Sequence, residues 1–215
     1  MKLFLASEAK HPQTLQDIEQ FVGGFEGKKL VYIPTAANGE EQYGTWVHGG
    51  TWNKVKQLPL EATPLVLEEV KDPSQLTVLD EADIIWLAGG YWGYLMYWMR
   101  RLELDRKIPE LAKKGTILVG SSAGSGVMSK TLAIAEWWRY EADQLPEPEI
   151  GASIFPGLGL VDFDIYPHYK DDLHDYISEH YTGNKMYPLK DGESIEVEGD
   201  EIRLNGQERV IGVKK

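Results

Sequence analysis

With 215 residues and 42% hydrophobic content, the chain can bury one substantial core and reads as a single domain over 1–215. A formal charge of −12 at pH 7 repels a phosphate backbone, and no run of Lys and Arg interleaved with aromatics offsets it, which argues against nucleic acid as a partner. The absence of cysteine excludes disulfides, thiolate-bound metals and thiol nucleophiles; the four-residue apolar run after Lys2 is too short for a signal-peptide core, and no segment approaches the roughly 18 apolar residues of a membrane span, so a soluble, cytoplasmic protein is expected.

The chain opens on a strand-like run, "KLFLA" (2–6), followed by helical spacing over 13–22. "KLVYIP" (29–34) predicts a second strand and 40–57 a helix; "TPLVLE" (63–68) and "DIIWLAG" (83–89) predict two more strands, separated by a helix over 74–80. Helices over 92–102 and 106–114 lead to "TILVG" (116–120), and another helix is expected over 123–129. Strands alternating with helices predict an α/β three-layer sandwich with a mainly parallel sheet, whose functional loops gather at the carboxyl ends of the strands. Past about residue 130 the pattern loosens into a Pro/Glu-rich stretch (144–159), the strand-like "LVDFDIYPHY" (160–169), a helix near 171–181 and closing strands around 194–198, 201–204 and 209–213. The hairpin "EVEGDEIRL" predicts an antiparallel edge near the C-terminus.

Where the strand "TILVG" ends, residues 120–124 spell Gly-Ser-Ser-Ala-Gly, a G-x-S-x-G match placed after a predicted strand and before a predicted helix. A nucleophile elbow needs this composition, because the turn is so sharp that only small neighbours of the central serine avoid the flanking strand and helix. Ser122 is then the candidate nucleophile, and the amide of Ala123, at a helix N-terminus, can stabilise an oxyanion. The alternative is that these small residues only allow a helix to pack closely on a strand or cradle a phosphate.

A serine hydroxyl needs a base to become nucleophilic at neutral pH, and an acid to orient that base. Among five histidines, His11 and His48 lie in polar segments and His174 and His180 on a charged helical stretch. His168 follows Pro167 at the end of a strand-like aromatic run, which makes it the candidate base. The acid stays open between Asp162, Asp164, Asp171, Asp172 and Asp191 on the residues alone. His168, His174 and His180 recur every six residues, a spacing that does not share a helix face, so no metal site is expected.

Five segments in order, "VYIPTAAN" (31–38), "ADIIWLAGG" (82–90), "GSSAGS" (120–125), "GLGLVDFDIYPHY" (157–169) and "YPLKDGESIEVEGDEI" (187–202), resemble the serine peptidases of dipeptidase E (aspartyl dipeptidase) and cyanophycinase, whose fold is related to class I glutamine amidotransferases. The resemblance implies a Ser–His–acid triad in that chain order, cutting short peptides near an acidic residue without a cofactor. Carried over, Ser122 is the nucleophile, His168 the base and Asp191 the acid, and Gly90 and Ala123 match the residues whose amides form the oxyanion hole. The family usually follows its paired glycines with Asn and Thr, whereas "GGYWGYLMYW" puts Tyr91 and Trp92 there and suggests an aromatic pocket wall. Downstream of the Pro-His element, where aspartyl-specific members carry basic side chains, "KDDLHDYISEHYTGNK" is mostly acidic and has no Arg; Arg139 in "EWWRYE" is a candidate replacement anion site, with a surface ion pair as its plainer reading.

Two other functions fit parts of the sequence. "VHGGTW" (47–52) resembles the H-G-G oxyanion loop of lipases and would suit an α/β-hydrolase esterase, although it lies in a segment of helical spacing. A non-catalytic binding member of the same fold would keep the elbow geometry without turnover. A small peptide is the expected partner, and monomer or homodimer both suit the sequence.

Overall fold

Residues 1–40, 43–137 and 156–212 are described by the structure, a computed structural model. In chain order the strands are β1 (Lys2–Ala6), β2 (Lys29–Ile33), β3 (Glu61–Pro64), β4 (Ile84–Leu87), β5 (Ile117–Ser121), β6 (Asp164–Tyr166), β7 (Met186–Pro188), β8 (Ser194–Glu198) and β9 (Glu201–Asn205). Seven of them form one sheet in the order β3-β2-β4-β5-β1-β8-β9. The five from β3 to β1 run parallel, and β8 and β9 add an antiparallel edge, as the C-terminal hairpin sequence predicts.

Alternation along the strands feeds two cores, one on each sheet face. Leu3, Leu5, Val31, Ile33, Ile85, Leu87 and Leu118 bury on one side, and Phe4, Tyr32, Ile84, Trp86 and Val119 on the other. Each such burial is worth about 1.5–3 kcal/mol against leaving the side chain in water, which is why the β4 sequence "IIWL" is apolar without interruption. The helices α1 (Pro12–Val22), α2 (Thr35–Asn38), α3 (Gly50–Val55), α4 (Trp92–Arg101), α5 (Leu104–Lys114), α6 (Ala123–Gly126) and α7 (His174–His180) complete the described elements together with several 3₁₀ turns. The α1 boundaries follow from chemistry: the His11 side chain accepts from the Gln13 amide, Pro12 starts the first turn, and Gly23 closes the helix at φ 74°.

Several sequence expectations need correction. The helix expected over 40–57 is a 3₁₀ turn at Thr45–His48 and the six-residue α3, divided at Gly49, which adopts an extended conformation; residues 41–42 lie outside the described residues. The strand expected at 63–68 is shifted to Glu61–Pro64, and Leu67–Glu69 turn in a 3₁₀ bend because the Thr35 hydroxyl captures the Leu67 amide. The helices over 74–80 and 123–129 are a 3₁₀ segment, Pro73–Glu81, and the single turn α6. Within 209–213 the described residues show one antiparallel bridge, Met186 to Ile211. The run 160–169 yields only β6, which leaves the main sheet and pairs in parallel with β7 as a separate two-stranded ribbon.

Register decides where the loops meet. Ile33 pairs with Leu87, Leu87 with Gly120 and Ala6 with Ser121, so β2, β4, β5 and β1 end at one level. The segments beginning at Pro34, Ala88, Ser122 and Ser7 therefore leave the sheet side by side.

Candidate active site

At the elbow, Ser122 sits between β5 and α6 with φ 50° and ψ −115°, a backbone conformation that L-residues avoid and that costs on the order of 1–3 kcal/mol. The surroundings over-determine it. A Cβ on Gly120 would lie 2.6 Å from the Gly124 carbonyl oxygen, and one on Gly124 would lie 2.0 Å from the Leu87 carbonyl oxygen. Both outer glycines of the motif are thus required for α6 to press against β5 and β4. The Ser122 amide donates to the Ala6 carbonyl at 3.0 Å, so it is occupied within the sheet.

The ribbon delivers the histidine. β6 ends at Tyr166, Pro167 follows, and His168 turns at φ 53° with its ring only 14% exposed. His168 Nε2 lies 3.1 Å from Ser122 Oγ, and His168 Nδ1 lies 2.7 Å from Asp191 Oδ1. Asp191 stands in the turn after β7, where the Glu193 amide donates to the Lys190 carbonyl and the Lys190 amide to Glu193 Oε2. Because β6 and β7 are parallel neighbours, the residues that follow them emerge at the same end, and histidine and aspartate arrive together.

The proton positions follow from donor and acceptor inventories. Burial works to raise the Asp191 pKa, but the hydrogen bond and charge of His168, the Ser7 hydroxyl and the field of Lys10 outweigh it and hold the carboxyl below the usual carboxylate range. An ionised carboxylate can only accept, so His168 Nδ1 carries the proton, and in the neutral imidazole Nε2 accepts from the Ser122 hydroxyl. That is the tautomer a general base requires.

Gly90 adopts φ 135°, and a Cβ there would lie 2.1 Å from the Ala36 carbonyl oxygen, so the turn after β4 is clamped against α2. Its neighbour Gly89 borders the serine: a Cβ on it would come within 3.2 Å of Ser122 Cβ. Among the described residues, neither the Gly90 nor the Ala123 amide donates to a protein backbone carbonyl.

The residues expected at the pocket divide differently. Trp92 is 2% exposed and its ring caps Gly126, so it is a core residue of α4 and not the pocket wall that its place after the glycines suggested; the first turn of α4 points it inward. Tyr91 is half-buried, its Cβ faces Gly39, and its amide donates to the Ala36 carbonyl. Arg139 lies outside the described residues; Trp137, two residues before it, stacks on Tyr166 and on His180. Asp164 accepts from the Tyr181 hydroxyl and Asp171 pairs with Lys190, whereas the carboxylate of Asp191 is the one bonded to the His168 ring. The H-G-G segment does not follow a strand: His48 ends an exposed 3₁₀ turn. No group of three or more His, Cys, Asp or Glu suited to a metal ion occurs among the described residues. No described helix is long and apolar enough to cross a membrane.

Sequence reasoning passed over Ser7. Its hydroxyl donates to Asp191 Oδ1 at 3.0 Å and accepts from the His168 amide at 2.8 Å. The available signal was its position directly after β1, at the carboxyl end of a strand beside the elbow strand.

Comparison with known proteins agrees with this architecture. An uncharacterized peptidase of Listeria monocytogenes is 27% identical over 210 residues, covering 93% of this chain and 96% of its own. A peptidase E of Streptomyces coelicolor is 26% identical over 222 residues, covering 95% and 84%. A Listeria monocytogenes EGD-e crystal structure, solved as a candidate peptidase E, superposes with a TM-score of 0.76 at 24% identity, over 96% of this chain and 98% of that one. The model of peptidase family S51 matches residues 3–205, and on that match the chain belongs to this family of serine-type peptidases.

Proposed function

We propose that the chain hydrolyses short peptides as a dipeptidase E-like exopeptidase, with Ser122, His168 and Asp191 as its catalytic triad. One observation carries this: Ser122 Oγ, His168 Nε2, His168 Nδ1 and Asp191 Oδ1 form an unbroken chain at 3.1 and 2.7 Å on a strained elbow. The name of the peptidase E relative supports peptides as substrates.

In this mechanism Ser122 Oγ attacks the scissile carbonyl carbon while its proton passes to His168 Nε2. The carbonyl oxygen becomes an oxyanion, and the amides of Gly90 and Ala123 stabilise it; the Ser122 amide is spent on Ala6 and is not a donor here. His168 returns the proton to the leaving amine, the C–N bond breaks, and an ester on Ser122 remains. Water then attacks that ester, giving its proton to Nε2, and collapse releases the carboxylic acid and restores the serine hydroxyl. Asp191 keeps the Nδ1 proton in place and stabilises the imidazolium at each stage.

Screening a dipeptide library with varied N-terminal residue, with Ser122→Ala as the blank, tests this reading. Hydrolysis by the wild type and none by the blank is the expected result, with a fluorophosphonate labelling Ser122 in parallel. Equal turnover by both proteins would overturn the assignment, and labelling without cleavage of any dipeptide would overturn the substrate class.

A further inference from the structure

We propose that Ser7 is a positioning residue of the triad, fixing through one hydroxyl both the orientation of the Asp191 carboxylate and the backbone turn at His168. This rests on the catalytic reading above. Ser7 is the first residue after β1 and is 0% exposed. Its amide donates to the Glu193 carbonyl at 3.1 Å, which ties it to the turn that carries Asp191. Its Oγ lies 3.0 Å from Asp191 Oδ1 and 2.8 Å from the His168 amide nitrogen.

The directions of these two bonds are forced. An amide can only donate and an ionised carboxylate can only accept, so the Ser7 hydroxyl gives its single proton to Asp191 and takes a hydrogen bond from His168. No other arrangement of one hydroxyl satisfies both neighbours.

Two consequences follow for the relay. His168 holds φ 53°, a conformation with an intrinsic cost for an L-residue, and a buried acceptor for its amide helps to retain it. Asp191 Oδ1 receives both the Ser7 proton and the His168 Nδ1 proton, so the serine pins the same oxygen that orients the imidazole. The ribbon bearing base and acid is thereby fastened to the main sheet at β1, beside the strand that bears Ser122. The hydroxyl of Ser7 is bonded to Asp191 and to the His168 amide, so it acts through these partners.

The test is the rate of fluorophosphonate labelling of Ser122, followed against pH for wild type, Ser7→Ala, Ser7→Cys and the Ser122→Ala blank, with a melting curve for each. Loss of one hydrogen bond to a charged group should slow labelling by Ser7→Ala between about ten- and a hundred-fold. Ser7→Cys, near in size with a weak S–H donor, should fall between. The steepening of the acid-side decline that sets in where Asp191 protonates should also move to higher pH in Ser7→Ala, because Asp191 loses one of the donors that depress its pKa. The other groups around Asp191 stay in place: His168 and Lys10 with its partner Glu8, which act on it, and His11, whose ring borders the neighbouring Gly192. A merely structural role would lower the melting point and scale the rate equally at every pH, and that result overturns the proposal. Wild-type rates in Ser7→Ala overturn it as well. If Ser7→Ala does not fold, the Ser7→Cys profile decides by the same criteria. Absence of labelling in the wild type, or persistence in the blank, refutes the catalytic reading itself, a result separate from a null effect at position 7.

Discussion

Gly124→Ala is the sharpest probe of the elbow. The added methyl would lie 2.0 Å from the Leu87 carbonyl oxygen and 2.6 Å from its carbonyl carbon, whereas a carbon-to-oxygen contact needs about 3.3 Å. The atom in the way is backbone of β4, paired on both sides with β2 and β5, so it cannot rotate aside. α6 must therefore retreat by more than about 1 Å, carrying Ser122 and the Ala123 amide with it. A displacement of that size costs on the order of a hundred-fold in rate. Overpacking adds about 1–3 kcal/mol of destabilisation, equivalent to a Tm loss of roughly 2–4 °C per kcal/mol for a chain of this length. The fluorophosphonate labelling rate and a thermal melt measure both effects. Gly199→Ala is the control: Gly199 also has positive φ, at 62°, but its added methyl meets nothing within 4 Å, so stability should fall slightly and labelling should not change. Labelling of Gly124→Ala within threefold of wild type would refute the claim that close approach of α6 to β4 sets the serine's position.

Asp191→Asn should cut kcat by about four orders of magnitude, as an amide in that place permits the wrong imidazole tautomer; stopped assays against wild type check it, and retention of a tenth of the activity would contradict the role of Asp191. Asp164 is buried and its pKa is raised, desolvation outweighing the opposing hydrogen bond from Tyr181. A raised carboxyl pKa favours the protonated form in the folded state, so its ionisation costs stability as pH rises through that value. Asp164→Asn should therefore raise Tm at pH 7, and the gain should vanish on acidification; a lower Tm at pH 7 would mean the Tyr181 bond needs the charge. Gly126→Ala pushes a methyl to within 2.5 Å of the Trp92 ring. In a Trp92→Phe background that clash should ease, so urea denaturation of the two single variants and the double variant should give a coupling of at least about 1 kcal/mol, and strict additivity would refute the contact.

The parts legible in the sequence are those where both faces of a strand are buried or where sterics admit few residues. β1, β2, β4 and β5 read directly because a central parallel strand has no solvent face to encode. The elbow read directly because Gly120 and Gly124 face backbone, where no side chain fits. Trp92 misled because an aromatic after a glycine pair is equally compatible with core and cleft, and only the phase of α4 decides. The segment 40–57 misled in a similar way: its aromatic spacing suits a helix, yet Trp46 and Trp52 pack against the sheet face from two short turns on either side of Gly49. On the residues alone five aspartates stayed open, and only the resemblance singled out Asp191, because what brings it to His168 is the pairing of β6 with β7, a tertiary fact. Ser7 carries only the mark of its place after β1, since its part depends on partners 161 and 184 residues away.

The two-stranded ribbon makes the spacing of the site a tertiary quantity. His168 leaves β6 of the ribbon, Asp191 lies on the short link from β7 of the ribbon to β8 of the main sheet, and Ser122 leaves β5 of the main sheet. The imidazole therefore reaches both partners only while ribbon and sheet keep their mutual placement, so a change that loosened the ribbon would part imidazole from alcohol with the main sheet intact.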